Sequence, residues 1–132
     1  MENAAPKILA IDDDESILDI YAEGLSAKGY DIKCASTSKQ GLDSIAASIP
    51  DVILMDIMMP GQDGISLMRD ILSKPDTSHV PVLAVSGLAD AATLNDALLF
   101  GAVDYIVKPF DIDTLDAKIK HAMELAAKRK PK

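Results

Sequence analysis

Five short apolar runs alternate with five helical patterns, and this alternation limits the fold more than any other feature of the chain. Short apolar runs between turn residues are typical of buried strands. Strands that alternate with helices through short connections predict a parallel sheet covered by helices on both faces. Because the crossovers between parallel strands are right-handed, few topologies remain, and we expect a doubly wound α/β fold with strand order 2-1-3-4-5. The predicted strands are residues 7–11, 32–35, 52–55, 80–85 and 105–107.

The helical patterns have recognisable ends. Gly29 and Gly101 follow the first and fourth patterns, as glycine often does just past a helix. Thr37 or Ser38 can cap the second helix. The other boundaries follow from the spacing of apolar residues, and the predicted helices are residues 16–28, a segment from about residue 38, and residues 65–73, 90–100 and 111–129.

Composition restricts the class of protein further. A chain of 132 residues with 48% hydrophobic side chains suits one domain with one core. Its net charge of −8 argues against direct nucleic-acid binding, which needs a basic surface. The single cysteine, Cys34, excludes an intrachain disulfide, and we expect it to fill the core. No run reaches membrane-spanning length and no signal peptide is visible, so we expect a cytoplasmic protein.

The central stretch, residues 51–64, places an acid at the end of a buried strand. Its sequence is DVILMDIMMPGQDG, in which an apolar run ends at Asp56 and turn residues follow. In open α/β sheets, the carboxyl ends of the strands form the edge where ligands bind. Asp56 is therefore a candidate functional residue, although a lone aspartate at this place could also be a solvent-exposed residue or a helix cap.

Other strands bring further polar residues to the same edge. Asp12 and Asp13 follow the first strand, Ser86 the fourth and Lys108 the fifth. The first and third strands are neighbours in the expected order, so their carboxylates should converge. Three such charges require a raised pKa or a bound divalent cation, and oxygen ligands of this kind suit Mg²⁺. Lys108 and Ser86 would complete a cradle for a phosphoryl group, with Asp56 as nucleophile.

Each of these residues also has an ordinary explanation. Asp14 and Glu15 are suited to the N-terminus of a helix, where acids complement the dipole. Lys108 could be an exposed strand-end lysine and Ser86 a turn residue. These explanations become weak when they are applied together, because five residues at matching strand ends agree with one phosphoryl-binding site.

At this point the chain resembles the receiver domain of bacterial two-component response regulators. Four segments carry the resemblance, and their order, spacing and placement on strands all agree. The resemblance covers residues 7–123 and implies the flavodoxin-like form of the α/β fold and a single receiver domain over residues 1–132. The composition of the chain shows a basic tail at 128–132. The matching segments are ILAIDDDES, DVILMDIMMPGQDGI, PVLAVSG and GAVDYIVKPF.

The resemblance also implies a role for each site residue. Asp56 would accept a phosphoryl group from a phosphohistidine on a sensor histidine kinase or a phosphotransfer protein. Asp13 and Asp56 would bind Mg²⁺ directly, Asp12 through water, and the backbone carbonyl of Met58 would be a further ligand. The remaining roles are phosphoryl binding by Ser86 and Lys108, a switch formed by Ser86 and Tyr105, and a cis peptide bond between Lys108 and Pro109.

Phosphorylation adds nearly two negative charges at one point, so the loops that carry the phosphoryl-binding residues must move. The surface formed by helix 4, strand 5 and helix 5 is the nearest bistable element and should bind a downstream protein. We expect a monomer or a phosphorylation-dependent homodimer, and a complete single-domain regulator in preference to a fragment. Met58 and Leu88 should restrict attacking water and slow dephosphorylation.

Two alternatives come from other classes. Asp12, Asp14 and Ser16 follow an apolar strand in the Asp-x-Asp-x-Ser pattern of a haloacid-dehalogenase-type phosphatase, with Asp12 as nucleophile. That interpretation leaves the central stretch unexplained and gives little room for a cap domain. A flavin-binding flavodoxin would need Ser, Thr and Gly after the first strand, but four acids stand there and would repel a phosphate.

Overall fold

The computed structural model describes residues 5–59, 63–87 and 91–129. Several residues that carry sequence-based predictions lie outside these ranges, namely Pro60, Gly61, Leu88, Asp90 and the end of the tail. The strands are β1 (Lys7–Ile11), β2 (Asp31–Ala35), β3 (Val52–Asp56), β4 (Val82–Ser86) and β5 (Asp104–Val107). The helices are α1 (Glu15–Ala27), α2 (Ser38–Ala47), α3 (Gly64–Leu72), α4 (Ala91–Leu99) and α5 (Ile112–Arg129).

The five strands form one parallel sheet in the order β2-β1-β3-β4-β5, which confirms the predicted fold. Alternate residues of each central strand point to opposite faces. In β1, Ile8 packs with α1 and α5, whereas Leu9 packs with α2 and α3. The sheet therefore separates two apolar layers, and its central strands are buried on both sides.

Local capping explains where three helices begin. The side chain of Asp14 accepts a hydrogen bond from the backbone N–H of Ser16 and caps α1. Thr37 caps α2 through the N–H of Gln40, and Asp63 caps α3. These oxygens satisfy N–H groups that have no partner within the helix. Gly29 follows α1 with φ +95°, a conformation that favours glycine.

The fourth strand differs from the prediction at its start. Val80 is buried, but its N–H donates to the carbonyl oxygen of Thr77 and so belongs to a turn. Pro81 follows and has no N–H to donate. Pairing therefore begins at Val82, opposite Ile53 of β3, and continues to Ser86, so apolar character alone placed the start of the strand two residues too early.

The prediction that Cys34 fills the core is wrong. Cys34 lies in the edge strand β2, where most residues are exposed or half-buried, and it is itself exposed. Its Sγ lies 3.6 Å from the carbonyl oxygen of Leu18. Only one side of an edge strand is paired, and β2 is also only partly covered by helices, so a cysteine there does not reach the centre of either apolar layer.

Candidate functional site

Three carboxylates meet at the carboxyl edge of the sheet. Asp12 and Asp13 directly follow β1, and Asp56 ends the adjacent β3. One oxygen from each lies within 4.8 Å of the others. Asp12 is fully buried and Asp56 is 4% exposed, whereas Asp13 is exposed to solvent. The parallel pairing of β1 with β3 thus brings together the acids that the sequence singled out.

Lys108 supplies a cation between two of these acids. Its Nζ lies 2.8 Å from Oδ2 of Asp12 and 3.5 Å from Oδ2 of Asp56. Its backbone N–H donates to the carbonyl oxygen of Ser86 at 2.7 Å. This bond fixes the end of β5 against β4, and the Lys108–Pro109 peptide that follows is cis, as expected.

The loop after β3 begins against Asp56. The N–H of Met58 donates to Oδ1 of Asp56 at 3.0 Å, and the Met58 side chain is half exposed beside it. The start of α3 then returns close to the same place, because a Cβ added at Gly64 would lie 2.6 Å from the carbonyl oxygen of Asp56. Glycine is therefore the residue that allows this close backbone approach.

Burial and neighbouring charges both shift the pKa values of Asp56 and Lys108. Burial raises the pKa of Asp56 above its usual range, and the charge of Asp12 adds to this, while the Met58 N–H and Lys108 oppose it. Burial lowers the pKa of Lys108, but the contacts with Asp12 and Asp56 outweigh this and the net pKa is raised. The lysine is thus held in its charged form beside two acids.

The donor set fits a hard divalent cation. Oδ2 of Asp12 is buried and, within the described residues, receives no hydrogen bond of regular geometry, although the Lys108 ammonium is near. A carboxylate oxygen has more than one acceptor position, so Oδ2 can take a further partner besides this ammonium. Together with the oxygens of Asp13 and Asp56 it offers an all-oxygen cluster of the type that magnesium prefers.

Ser86 and Tyr105 occupy neighbouring strands beside this cluster. Ser86 ends β4, is fully buried, and follows Val85, the residue paired with Asp56. Tyr105 lies in β5, is half-buried, and has the Nζ of Lys118 5.6 Å from its ring centroid. The structure thus places Ser86 at the site edge and Tyr105 on the adjoining β5–α5 surface.

The phosphatase alternative gains no support from the geometry. Both the backbone N–H and the hydroxyl of Ser16 donate to Oδ1 of Asp14, so Asp14 serves as the cap of α1. These hydrogen bonds lower the pKa of Asp14, which is opposite to what a general acid needs at neutral pH.

Two aromatic residues behind the site were not singled out from the sequence. Tyr21 is 1% exposed, and its ring stacks on Phe110 with centroids 5.6 Å apart. Burial, followed by the charges of Asp12 and Asp56, raises the pKa of Tyr21. In the sequence Tyr21 lies within the first helical pattern, and the scarcity of aromatics, at 4% of the chain, is the one signal that could have singled it out.

The family model described as "Response regulator receiver domain" matches residues 8–120. The chain belongs to the response regulator receiver family. This family is regulatory and not a class of conventional enzymes. The regulatory protein AtoC of Escherichia coli (strain K12) is 33% identical to this chain over 127 residues, which are 96% of the chain and 27% of AtoC.

Solved structures of the family agree with the fold. A CheY-like receiver domain protein from Methanospirillum hungatei JF-1 has 29% identity and a TM-score of 0.85, over 96% of this chain and 99% of that one. NtrX from Brucella abortus has 31% identity and a TM-score of 0.87, over 93% of this chain and 28% of NtrX. The receiver chain thus spans just over a quarter of the length of AtoC and of NtrX.

None of the helices within the described part of this receiver has both the length and the apolar character needed to cross a bilayer.

Proposed function

We propose that this receiver is a phosphorylation-controlled signalling switch in which Asp56 accepts the phosphoryl group. The donor is a phosphohistidine on a sensor histidine kinase or a phosphotransfer protein. The observation that supports this most is the position of Asp56, which is buried at the end of β3 beside two further acids and 3.5 Å from the ammonium of Lys108. A carboxylate in this position can bind a metal ion and act as the nucleophile toward an incoming phosphoryl group.

Mg²⁺ is the proposed cofactor. Asp13 and Asp56 would bind it directly, Asp12 through water, and the backbone carbonyl of Met58 would add a ligand. When bound, the metal neutralises repulsion between the carboxylates and the incoming phosphoryl group. The convergence of one oxygen each from Asp12, Asp13 and Asp56 within 4.8 Å and the exposed position of Asp13 support this assignment, because the cluster offers several oxygen ligands and is open to solvent on one side.

The chemical step is a transfer from nitrogen to oxygen. A carboxylate oxygen of Asp56 forms a bond to phosphorus while the phosphorus–nitrogen bond of the donor histidine breaks and leaves its electron pair on the imidazole. Lys108 and Ser86 hold the phosphoryl oxygens during and after transfer. Lys108 already carries its charge beside Asp56. Once the phosphoryl group is attached, its oxygens replace the carboxylates as partners of the Lys108 ammonium.

The output surface is the face of α4, β5 and α5. When Ser86 moves toward the phosphoryl group, Tyr105 turns inward, and this changes the face that a downstream protein contacts. The register supports the coupling, because Ser86 pairs with Val107, two residues after Tyr105 in the same strand. The ammonium of Lys118 near the Tyr105 ring would change its environment in the same event.

The proposal also includes organisation and partners. Residues 1–132 form a single receiver domain with its core at 7–123, which acts in the cytoplasm through protein contacts and without direct binding to nucleic acid or membrane. The net charge of −8 supports the absence of a nucleic-acid contact. The receiver is a monomer or a homodimer that forms on phosphorylation.

The test is the intact mass of the protein after incubation with acetyl phosphate, with and without Mg²⁺. We expect one phosphoryl adduct that requires Mg²⁺ and is lost in Asp56→Asn. The matched control is Asp43→Asn, an exposed aspartate on α2 paired with Lys39, which should be labelled like the wild type. An adduct that persists in Asp56→Asn, or labelling that does not depend on Mg²⁺, would contradict the assignment.

A further inference from the structure

Phosphoryl transfer at Asp56, the proposed function on which this inference rests, requires the Lys108 ammonium in a fixed place. Lys108 stands just past β5, where the chain leaves the sheet. Its N–H is bonded to the carbonyl oxygen of Ser86 on the strand side. On the other side Pro109 is exposed. The next residue, Phe110, is half-buried and packs against the apolar layer that contains Tyr21.

Phe110 is anchored by an aromatic stack. Its ring lies nearly parallel to that of Tyr21, with 12° between the planes and 5.6 Å between the centroids. The chain contains few aromatic residues, three Tyr and two Phe, and two of them meet here. Stacked rings stabilise a contact beyond the area they bury, and Tyr21 is itself fixed in the core.

The helix that carries Tyr21 is itself held in place, because α1 and the turn after it contact the start of α5 at further points. A Cβ added to Gly24 would lie 2.5 Å from a side-chain atom of Ile112, so the two segments approach closely. The Nζ of Lys28 lies 2.6 Å from Oδ1 of Asp113. The hydroxyl of Tyr30 donates a hydrogen bond to Oδ1 of Asp116 at 2.5 Å.

We propose that Tyr21 is a positioning residue for phosphoryl transfer: its ring holds Phe110, and through it the ammonium of Lys108, beside Asp12 and Asp56. Without the ring the loop after β5 has a wider range of positions, and the lysine meets the phosphoryl oxygens less often. The acids belong to β1 and β3, so their cluster does not depend on the stack. Loss of the ring should therefore slow transfer and leave metal affinity unchanged.

The experiment compares the rate constant for phosphorylation by acetyl phosphate at saturating Mg²⁺ with the Mg²⁺ dissociation constant from calorimetry. Tyr21→Leu keeps an apolar side chain but removes the ring, and we expect a rate roughly threefold to tenfold lower, with the Mg²⁺ constant within about twofold of the wild type. Tyr21→Phe retains the ring and should restore the rate. Phe110→Leu tests the same stack from its half-buried side and should reproduce the loss.

Leu25→Val is the matched control, because Leu25 is buried one turn further along α1 and takes no part in the ring stack. It should lower the stability of the fold, because it removes a buried methylene group, without slowing transfer. The proposal is overturned if folded Tyr21→Leu and Phe110→Leu react at the wild-type rate, or if Leu25→Val slows the reaction equally. Failure of the wild type itself to be labelled at Asp56 would overturn the proposed function together with this inference, so the two failures are distinguishable.

Discussion

Two buried aspartates of this receiver experience opposite environments. Asp56, at the carboxyl edge of the sheet, is 4% exposed, and burial followed by the charge of Asp12 raises its pKa. Asp116, on α5, is 8% exposed, and hydrogen bonds from Tyr30 and Lys120 lower its pKa. Burial alone therefore does not decide the charge state of a carboxylate, because the partners around it determine which form is favoured.

The difference separates a structural carboxylate from a functional one. Asp116 accepts bonds from the Tyr30 hydroxyl at 2.5 Å and the Lys120 ammonium at 3.1 Å, so its charge is satisfied within the fold. Asp56 has one backbone N–H, a more distant lysine, and a second buried acid nearby. A carboxylate that its own fold does not satisfy is free to take an external ligand.

The largest expected effect comes from removing the cation at the acid cluster. Lys108→Met leaves Asp12 and Asp56 buried without a counter-charge, and we expect the free energy of unfolding to fall by about 3 kcal/mol. Urea unfolding without Mg²⁺ measures this. Lys39→Met removes an ammonium from a largely exposed pair with Asp43 and should change nothing measurable. If Lys108→Met and Lys39→Met lowered the free energy of unfolding equally, the buried acid cluster would not differ from an exposed ion pair.

A smaller effect tests the satisfied aspartate. Tyr30→Phe removes the hydroxyl that donates to Asp116 and should lower the free energy of unfolding by about 1–2 kcal/mol at neutral pH. The lowered pKa of Asp116 means that this stabilisation is present above the ordinary pKa of aspartate and is lost as pH falls through the lower folded value. Urea unfolding as a function of pH should therefore show the variant and wild type converging in acid.

The control for Tyr30→Phe is the same substitution in an Asp116→Asn background. The hydroxyl then has no charged partner, and the cost of removing it should shrink. A cost that is unchanged in this background would show that the packing of the ring, and not the bond to the carboxylate, carries the effect.

The smallest effect has the opposite sign. Asp56→Asn removes a buried carboxylate whose pKa is raised, and we expect the free energy of unfolding at neutral pH to increase by about 1 kcal/mol. A raised folded pKa means that the native state binds the proton more tightly, so the cost of the charge grows as pH rises through this range and is absent in acid. Thermal unfolding from acid to neutral pH should show a gain that disappears at low pH. A loss of stability at neutral pH would contradict this account.

Much of the fold followed from local signals. The alternation of apolar runs and helical patterns predicted the strand order that the structure has, and the capping residues Thr37 and Gly29 are where the sequence suggested. The errors arise where backbone hydrogen bonding or the position of a strand in the sheet overrides residue type. Val80 and Cys34 look like buried strand residues by type, but a turn holds one and an edge position exposes the other.

One part of the candidate site could likewise be predicted from the sequence, and another part could not. Its residue types and their positions after β1, β3, β4 and β5 were visible in the sequence, because the carboxyl ends of parallel strands share one edge. The stack of Tyr21 on Phe110 was not visible, since it joins residues from opposite ends of the chain through the packing of α1 beside the loop after β5.

The sequence by itself determined the class of fold and the set of acids, serine and lysine at one edge of the sheet, because strand periodicity and strand ends are local properties. Only the tertiary structure decided which buried carboxylate is satisfied and which is left open. That distinction depends on distances of a few ångströms between side chains from different elements, such as Tyr30 to Asp116 and Lys108 to Asp12, and no local pattern encodes them.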